Sequence, residues 1–177
     1  MADTVHPSEL HRVVVQCIVY VEPRWFWQPR LYFLMKRSEE RKQWPGLWTI
    51  PGGGLEPKDY LKHLKRKPES VGVLGRALRR EVREETRMQL KRLHYVSSSA
   101  FVRPLDNIGV IAVRFMAECH RGDIVLEEND STEYKWVTAA EICRYEIIGT
   151  IANDIRCIEA ARPWNRSLRA LRRALKK

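Results

Sequence analysis

Three glutamates stand close together near the middle of the chain, in Arg80-Glu81-Val82-Arg83-Glu84-Glu85. On a helix, residues three and four apart share a face, so Glu81, Glu84 and Glu85 would lie together on one side. Three like charges so placed repel one another and weaken the helix unless something positive sits among them. A hard divalent cation with oxygen ligands answers that repulsion, and Mg²⁺ or Mn²⁺ is the natural candidate. The same residues also suit an ordinary solvated acidic face, balanced here by Arg79, Arg80 and Arg83. The surrounding sequence decides between these two readings.

From Glu69 onward the apolar residues take a helical period. Leu74, Leu78 and Val82 fall at i, i+4 and i+8, with Val71 and Ala77 on adjoining positions, which predicts a helix over 69–88 that carries the glutamates. Ahead of it, residues 12–21 are β-branched and apolar, as a buried strand should be, and residues 31–35 read as its partner. Between them, 22–30 bring two prolines and Trp25-Phe26-Trp27, a loop with an exposed aromatic tip or a short hairpin. Trp44-Pro45-Gly46-Leu47-Trp48-Thr49-Ile50-Pro51 brackets a short apolar piece with turn residues, and Gly52-Gly53-Gly54 follows. After the helix, 93–103 and 108–118 read as two strands and 134–137 as a short one. Thr138 then caps a brief helix through Cys143, 148–161 are helical, and a last helix runs over 167–176. This order of elements indicates an α+β domain with a mixed or antiparallel sheet.

Taken together, Trp44 to Glu56 and the glutamate segment resemble the Nudix family, whose box reads G-x5-E-x7-R-E-U-x-E-E-x-G-U, with U a bulky aliphatic residue. Gly53 fits the opening glycine, and Arg80, Glu81, Val82, Glu84, Glu85 and Met88 fit the later fixed positions. Family members also show the P-G-x-W-x-x-P-G-G pattern before the box, and Glu133-Tyr134-Lys135-Trp136 fits a later piece. The resemblance covers roughly residues 10–160 and implies a mixed β-sheet sandwiched between helices (α/β/α). There are two departures. Twenty-six residues separate Gly53 from Arg80 where the family has thirteen, so a segment around 57–69 is inserted. Either Asp59 or Glu69 then fills the x5-E position: Asp59 keeps the spacing from Gly53, and Glu69 keeps the familiar Glu-Ser approach to the helix. The second departure is Arg87, which stands where the family has glycine.

The resemblance also implies roles. Glu81, Glu84 and Glu85 would bind the metal, with the backbone carbonyl of Gly52 as a further ligand, and Arg80 would orient the glutamates. A later acidic residue, Glu128 with Glu127 and Asp130 as alternatives, would add a ligand or base. Lys36 and Arg37 end the second strand near where family members place substrate phosphates. Trp25 and Trp27 could stack a nucleobase or simply pack. The implied reaction is metal-dependent hydrolysis of a diphosphate linkage in a nucleoside diphosphate derivative or a nucleoside triphosphate.

Bulk composition is compatible with this. A chain of 177 residues with 44% hydrophobic and 31% charged residues suits one globular domain. No apolar run is long enough to cross a bilayer, the N-terminus lacks the pattern of a secretory signal, and Cys17, Cys119, Cys143 and Cys157 form no C-x-x-C pair. These features point to a cytoplasmic protein with reduced thiols. The net charge of +10 implies attraction to polyanions. It is concentrated in 58–67 and in the basic helix of the 163–177 tail. Alternatives to a small-nucleotide enzyme therefore stay open: an RNA 5′-end pyrophosphohydrolase, or a non-catalytic module that holds nucleotide or RNA. A homodimer is equally compatible with the sequence.

Overall fold

The apolar run at 12–21 forms β1 (His11–Val21), the strand around which the sheet is assembled. The computed structural model describes residues 10–25, 27–65, 68–119, 123–127 and 130–162. In chain order the other strands are β2 (Leu31–Arg37), β3 (Trp48–Thr49), β4 (Gly52–Gly54), β5 (His94–Arg103), β6 (Ile108–Glu118) and β7 (Ser131–Thr138). The helices are α1 (Leu61–Leu64), α2 (Val73–Thr86) and α3 (Ile151–Ala161). The expected final helix over 167–176 lies outside the described residues.

Along one edge β1 runs parallel to β6, from His11 opposite Gly109 to Tyr20 opposite Glu118. Its other edge is divided. Val14, Val15 and Gln16 pair antiparallel with the glycines of β4, whereas Tyr20 and Val21 pair with β2. Outward from there, β2 pairs with β3 and β7, and β6 with β5, all antiparallel. The sheet is therefore mixed, as expected.

Alternation along β1 sends its side chains to two opposite layers. Val15, Cys17 and Val19 pack with Phe33 and Met35 against Ala77, Leu78 and Val82 of α2. Ile18 and Tyr20 pack with Tyr32, Leu34 and Val137 against Ile151 and Ile155 of α3. A strand covered on both faces reads as a continuous apolar run, which is what 17–21 shows. Arg114 of β6, only 4% exposed, helps fasten α3 to the sheet through Asp154 at 3.0 Å and also bonds Ser99 Oγ at 2.8 Å.

Several boundaries differ from the sequence reading. The glutamate helix starts at Val73, not Glu69, because Gly72 takes a left-handed conformation (φ 71°) at its N-cap. Glu69 thus lies before the helix, and Val71 is 78% exposed instead of joining the apolar stripe. The sequence from Thr138 to Cys143 makes a single 3₁₀ turn at Ile142–Arg144, with Thr138 bonded to Glu141. Strand β2 continues through Lys36 and Arg37, and β7 is longer than 134–137.

At its other end α2 closes on Arg87, held left-handed at φ 62° with its N–H donated to Arg83 O at 3.0 Å. The Arg87 side chain is exposed and the backbone strain remains. We expect R87G to raise stability by about 1 kcal/mol, or about 2–4 °C in Tm for a chain of this size. Thermal unfolding checks this, and an unchanged or lower Tm contradicts it.

Candidate active site

Where β1 parts from β2, the segment Pro51–Gly54 fits against the open edge of β1. Pro51 O accepts from Cys17 N–H at 2.8 Å, and β4 pairs with Val14–Gln16. Glycine is required at Gly52, and at Gly53 its lack of a side chain makes room for the Glu81 carboxylate. Gly52 sits at φ 151°, and a Cβ there would lie 2.2 Å from Val15 O. At Gly53 a Cβ would lie 2.4 Å from the carboxyl carbon of Glu81. Bare backbone is what lets the carboxylates of α2 approach the sheet so closely.

The three glutamates divide between two partners. Glu85 accepts from Gly52 N–H at 2.8 Å. Glu81 and Glu84 both turn to Arg80 NH1, at 2.8 and 2.9 Å. They share one side of α2, as the spacing predicts, but among the described residues they do not close on a single point. The glycine backbone draws Glu85 one way, and the Arg80 guanidinium draws Glu81 and Glu84 the other.

Arg80 also settles the choice between Asp59 and Glu69. Its Nε and NH2 reach the two oxygens of Asp59 at 2.8 and 2.9 Å, and NH2 bonds Gly54 O at 3.2 Å. The bidentate bond holds the buried Asp59 carboxyl below the usual carboxylate range. Glu69 is exposed. The inserted segment is closed at its base by Arg76, which bonds Asp59 O at 3.2 Å, Ser70 Oγ at 2.5 Å and Val71 O.

Burial pushes the Glu85 carboxyl well above the ordinary range, and the charges of Asp130, Glu81 and Glu127 act in the same direction against the Gly52 bond. Glu81 is raised by burial too, and by Glu84 and Glu56, with Arg80 opposing. The segment bearing the late acids runs past the end of α2, with Glu127 N–H donating to Glu85 O at 3.0 Å. Asp130 is buried and paired with Arg41 at 2.7 Å, while Glu128 lies outside the described residues. The donor set is all oxygen, negatively charged and partly buried, which fits a hard divalent cation. Glu81, Glu84, Glu85 and the Gly52 carbonyl are the groups that would hold it.

Beyond the glycines, on the α3 side of the sheet, opens a cavity of about 610 Å³. Its floor carries Arg12, Val14 and Gln16 of β1 beside Val110, Ala112 and Arg114 of β6. Arg37, Arg41 and Arg103 also line it. The Arg12 guanidinium lies against Gly54. Arg12 and Arg37 make no ion pair among the described residues, and burial lowers the pKa of Arg37. Of the two basic residues singled out in the sequence, then, Arg37 faces the cavity. Lys36 is not part of its lining, and its Nζ lies 3.9 Å from Glu39.

Trp25 and Trp27 do not line the cavity either. They stack on each other at 5.3 Å, in the loop beyond Val21. That strand end is five residues past Gln16, roughly 16 Å along β1. Sequence reasoning missed Arg12, Gln16, Arg114, Trp44 and Phe101. For the first three a signal was present, since each is a polar interruption at an even position of an apolar strand.

Three comparisons bear on this geometry. The NUDIX domain family model matches residues 10–155. The nucleoside triphosphatase NudI of Klebsiella pneumoniae (strain 342) is 27% identical over 125 residues, which are 66% of this chain and 79% of that protein. Among solved structures, a MutT protein from Methanosarcina mazei Go1 superposes with a TM-score of 0.62 at 23% identity, over 84% of this chain and 93% of that one. The NUDIX domain of Shewanella oneidensis NrtR, complexed with ADP ribose, does so with 0.63 at 14% identity, over 86% and 90%. The two structures share the fold. Because the NUDIX domain model matches residues 10–155, the chain belongs to the Nudix family of pyrophosphohydrolases.

Proposed function

We propose that the protein hydrolyses a diphosphate linkage in a nucleoside triphosphate or nucleoside diphosphate derivative, with Mg²⁺ or Mn²⁺ bound at Glu81, Glu84, Glu85 and the Gly52 carbonyl. The observation that carries this reading is the placement of β4, with box carboxylates on one side and an arginine-lined cavity on the other. The NudI relative, a nucleoside triphosphatase, and the NrtR neighbour complexed with ADP ribose support it. When bound, the cation supplies the charge that polarises the diphosphate and activates a water for displacement at phosphorus. Arg12 and Arg37 hold the phosphates, and Arg80 sets the spacing of Glu81 and Glu84 without touching substrate. The competing idea of a binder without turnover gives no reason to keep three mutually repelling carboxylates.

A second reading rests on the insertion. Lys58 Nζ stands 3.9 Å from Glu84 Oε1, and Lys62 and Lys65 are exposed nearby on the same segment. A longer polyanion, such as an RNA carrying its 5′-phosphates at the site, would cross this rim. If so, replacing Lys62 and Lys65 by Ala should weaken single-stranded RNA binding and flatten its salt dependence by roughly one unit of slope per lost phosphate contact. Hydrolysis of a free nucleotide should be unaffected. A labelled RNA titration at two salt concentrations tests this, and no binding at low salt removes the reading.

The main reading predicts that E85Q lowers kcat by at least about 100-fold, because an amide oxygen is a poorer ligand for a hard cation. Screening wild type and variant against a nucleotide panel with Mg²⁺ and Mn²⁺ checks this, and equal rates contradict the assigned role. Without metal, the same variant should melt higher than wild type. A carboxylate whose folded pKa is raised costs stability above its unfolded pKa, and that cost fades as pH falls and Glu85 takes a proton itself. The Tm advantage of E85Q should therefore shrink on acidification.

Asp59 is the second test. D59N replaces one of the two carboxylate oxygens facing Arg80 with a donor, so we expect a loss of about 2 kcal/mol in stability and a clear drop in kcat. E69Q should match wild type in both, and comparable losses in the two variants would contradict the pairing.

A further inference from the structure

We propose that Trp44 and Phe101, with Gln43 beside them, form the subsite that takes the heteroaromatic base of the substrate and sets which bases are accepted. This rests on the nucleotide reading above. Both rings line the cavity, one from the loop after β2 and the other from β5. Their centroids are 5.6 Å apart and their planes meet at 64°. The two rings make an aromatic corner against which a planar heterocycle can lie on one ring and meet the other. Phe101 is 36% exposed, so part of its apolar surface is left open to the cavity.

Strand register gives this corner its distance from the phosphate end. Arg12 stands opposite Val110, and Val110 opposite Phe101, so the three sit side by side across β1, β6 and β5. Two strand spacings separate Arg12 from Phe101, about 10 Å. A nucleotide with its base at Phe101 therefore carries its phosphates toward Arg12, Gly54 and the glutamates.

The loop that presents Trp44 is strained and held. Trp44 has φ 50°, a conformation that bulky residues rarely adopt, and Gly46 follows at φ 69°. Arg37 grips both sides of it, its N–H donating to Leu47 O at 3.0 Å and its Nε to Gln43 O at 3.1 Å. The residue that faces the phosphates thus also fixes the loop that faces the base. Within the same lining, Gln43 Nε2 is buried with no partner. A buried amide donor without an acceptor is costly, and a turn of the Gln43 side chain toward the cavity lets a carbonyl oxygen or ring nitrogen of the base supply one.

The test compares W44A, W44F, F101A and Q43A with wild type on triphosphates of the four common bases, with inorganic triphosphate as a competitor. W44A and F101A should each raise KM by about tenfold or more, as loss of base stacking does, with kcat nearly unchanged, because the contact is made equally in ground and transition states. W44F should keep most of the affinity, and Q43A should narrow the spread of kcat/KM among the bases. The inhibition constant of inorganic triphosphate should not move. An unchanged KM in both ring variants, or an equal weakening of inorganic triphosphate, overturns the subsite. Cleavage confined to substrates without a base overturns it while leaving the hydrolytic site intact, and absence of any nucleotide or triphosphate cleavage overturns the nucleotide reading itself.

Discussion

At the centre of the site, Arg80 places its five N–H donors on Asp59, Glu81, Glu84 and Gly54 O. Those partners belong to three different pieces of chain: the turn after β4, the helix α2 and the glycine strand itself. A lysine has one nitrogen and could not join them in a fixed geometry. Because the guanidinium is planar, the position of Asp59 dictates where its far edge points. That edge in turn determines where Glu81 and Glu84 come to rest. The insertion, the helix and the glycines therefore keep one arrangement although many residues separate them in sequence.

The division of β1's edge is the second constraint. Had β2 paired with β1 throughout, no space would exist for Pro51–Gly54 against the sheet. Pairing with β2 at Tyr20 and Val21, and with β4 at Val14–Gln16, leaves the glycine backbone as a wall of the cavity. One side of the wall receives acids from α2. The other opens on the even-numbered side chains of β1, where Arg12 and Gln16 replace the apolar residues found nearer α3. Arg114 shows the cost of polar groups in such a floor, since it is kept buried only by Asp154 and the serines of β5.

Much of this was legible in the sequence, and the parts that were not share a cause. Strands 12–21 and 108–118 were readable because burial on a pleated surface imposes its own residue types. Helical spacing showed that Glu81, Glu84 and Glu85 share a face. It could not show that Glu85 would part from the other two, because its partner Gly52 comes from a distant segment. The choice between Asp59 and Glu69 was closed to the sequence for the same reason. Likewise the start of α2 depended on a left-handed Gly72, which spacing of leucines does not report. Trp25 and Trp27 attracted notice as a dense aromatic cluster, whereas Trp44 and Phe101 are distant in sequence and meet through the fold.

Arg76 joins the two ends of the inserted segment on a single side chain. The Arg76 bonds hold those ends together whatever the length between them, in the way that a clasp closes a ring of any circumference. Lengthening a loop whose ends are fixed costs only about 0.6 kcal/mol per doubling. The stretch after Tyr60 is therefore a natural port for grafting. A tag, a reporter or a foreign recognition peptide placed there would be carried beside the site without displacing the residues that form it.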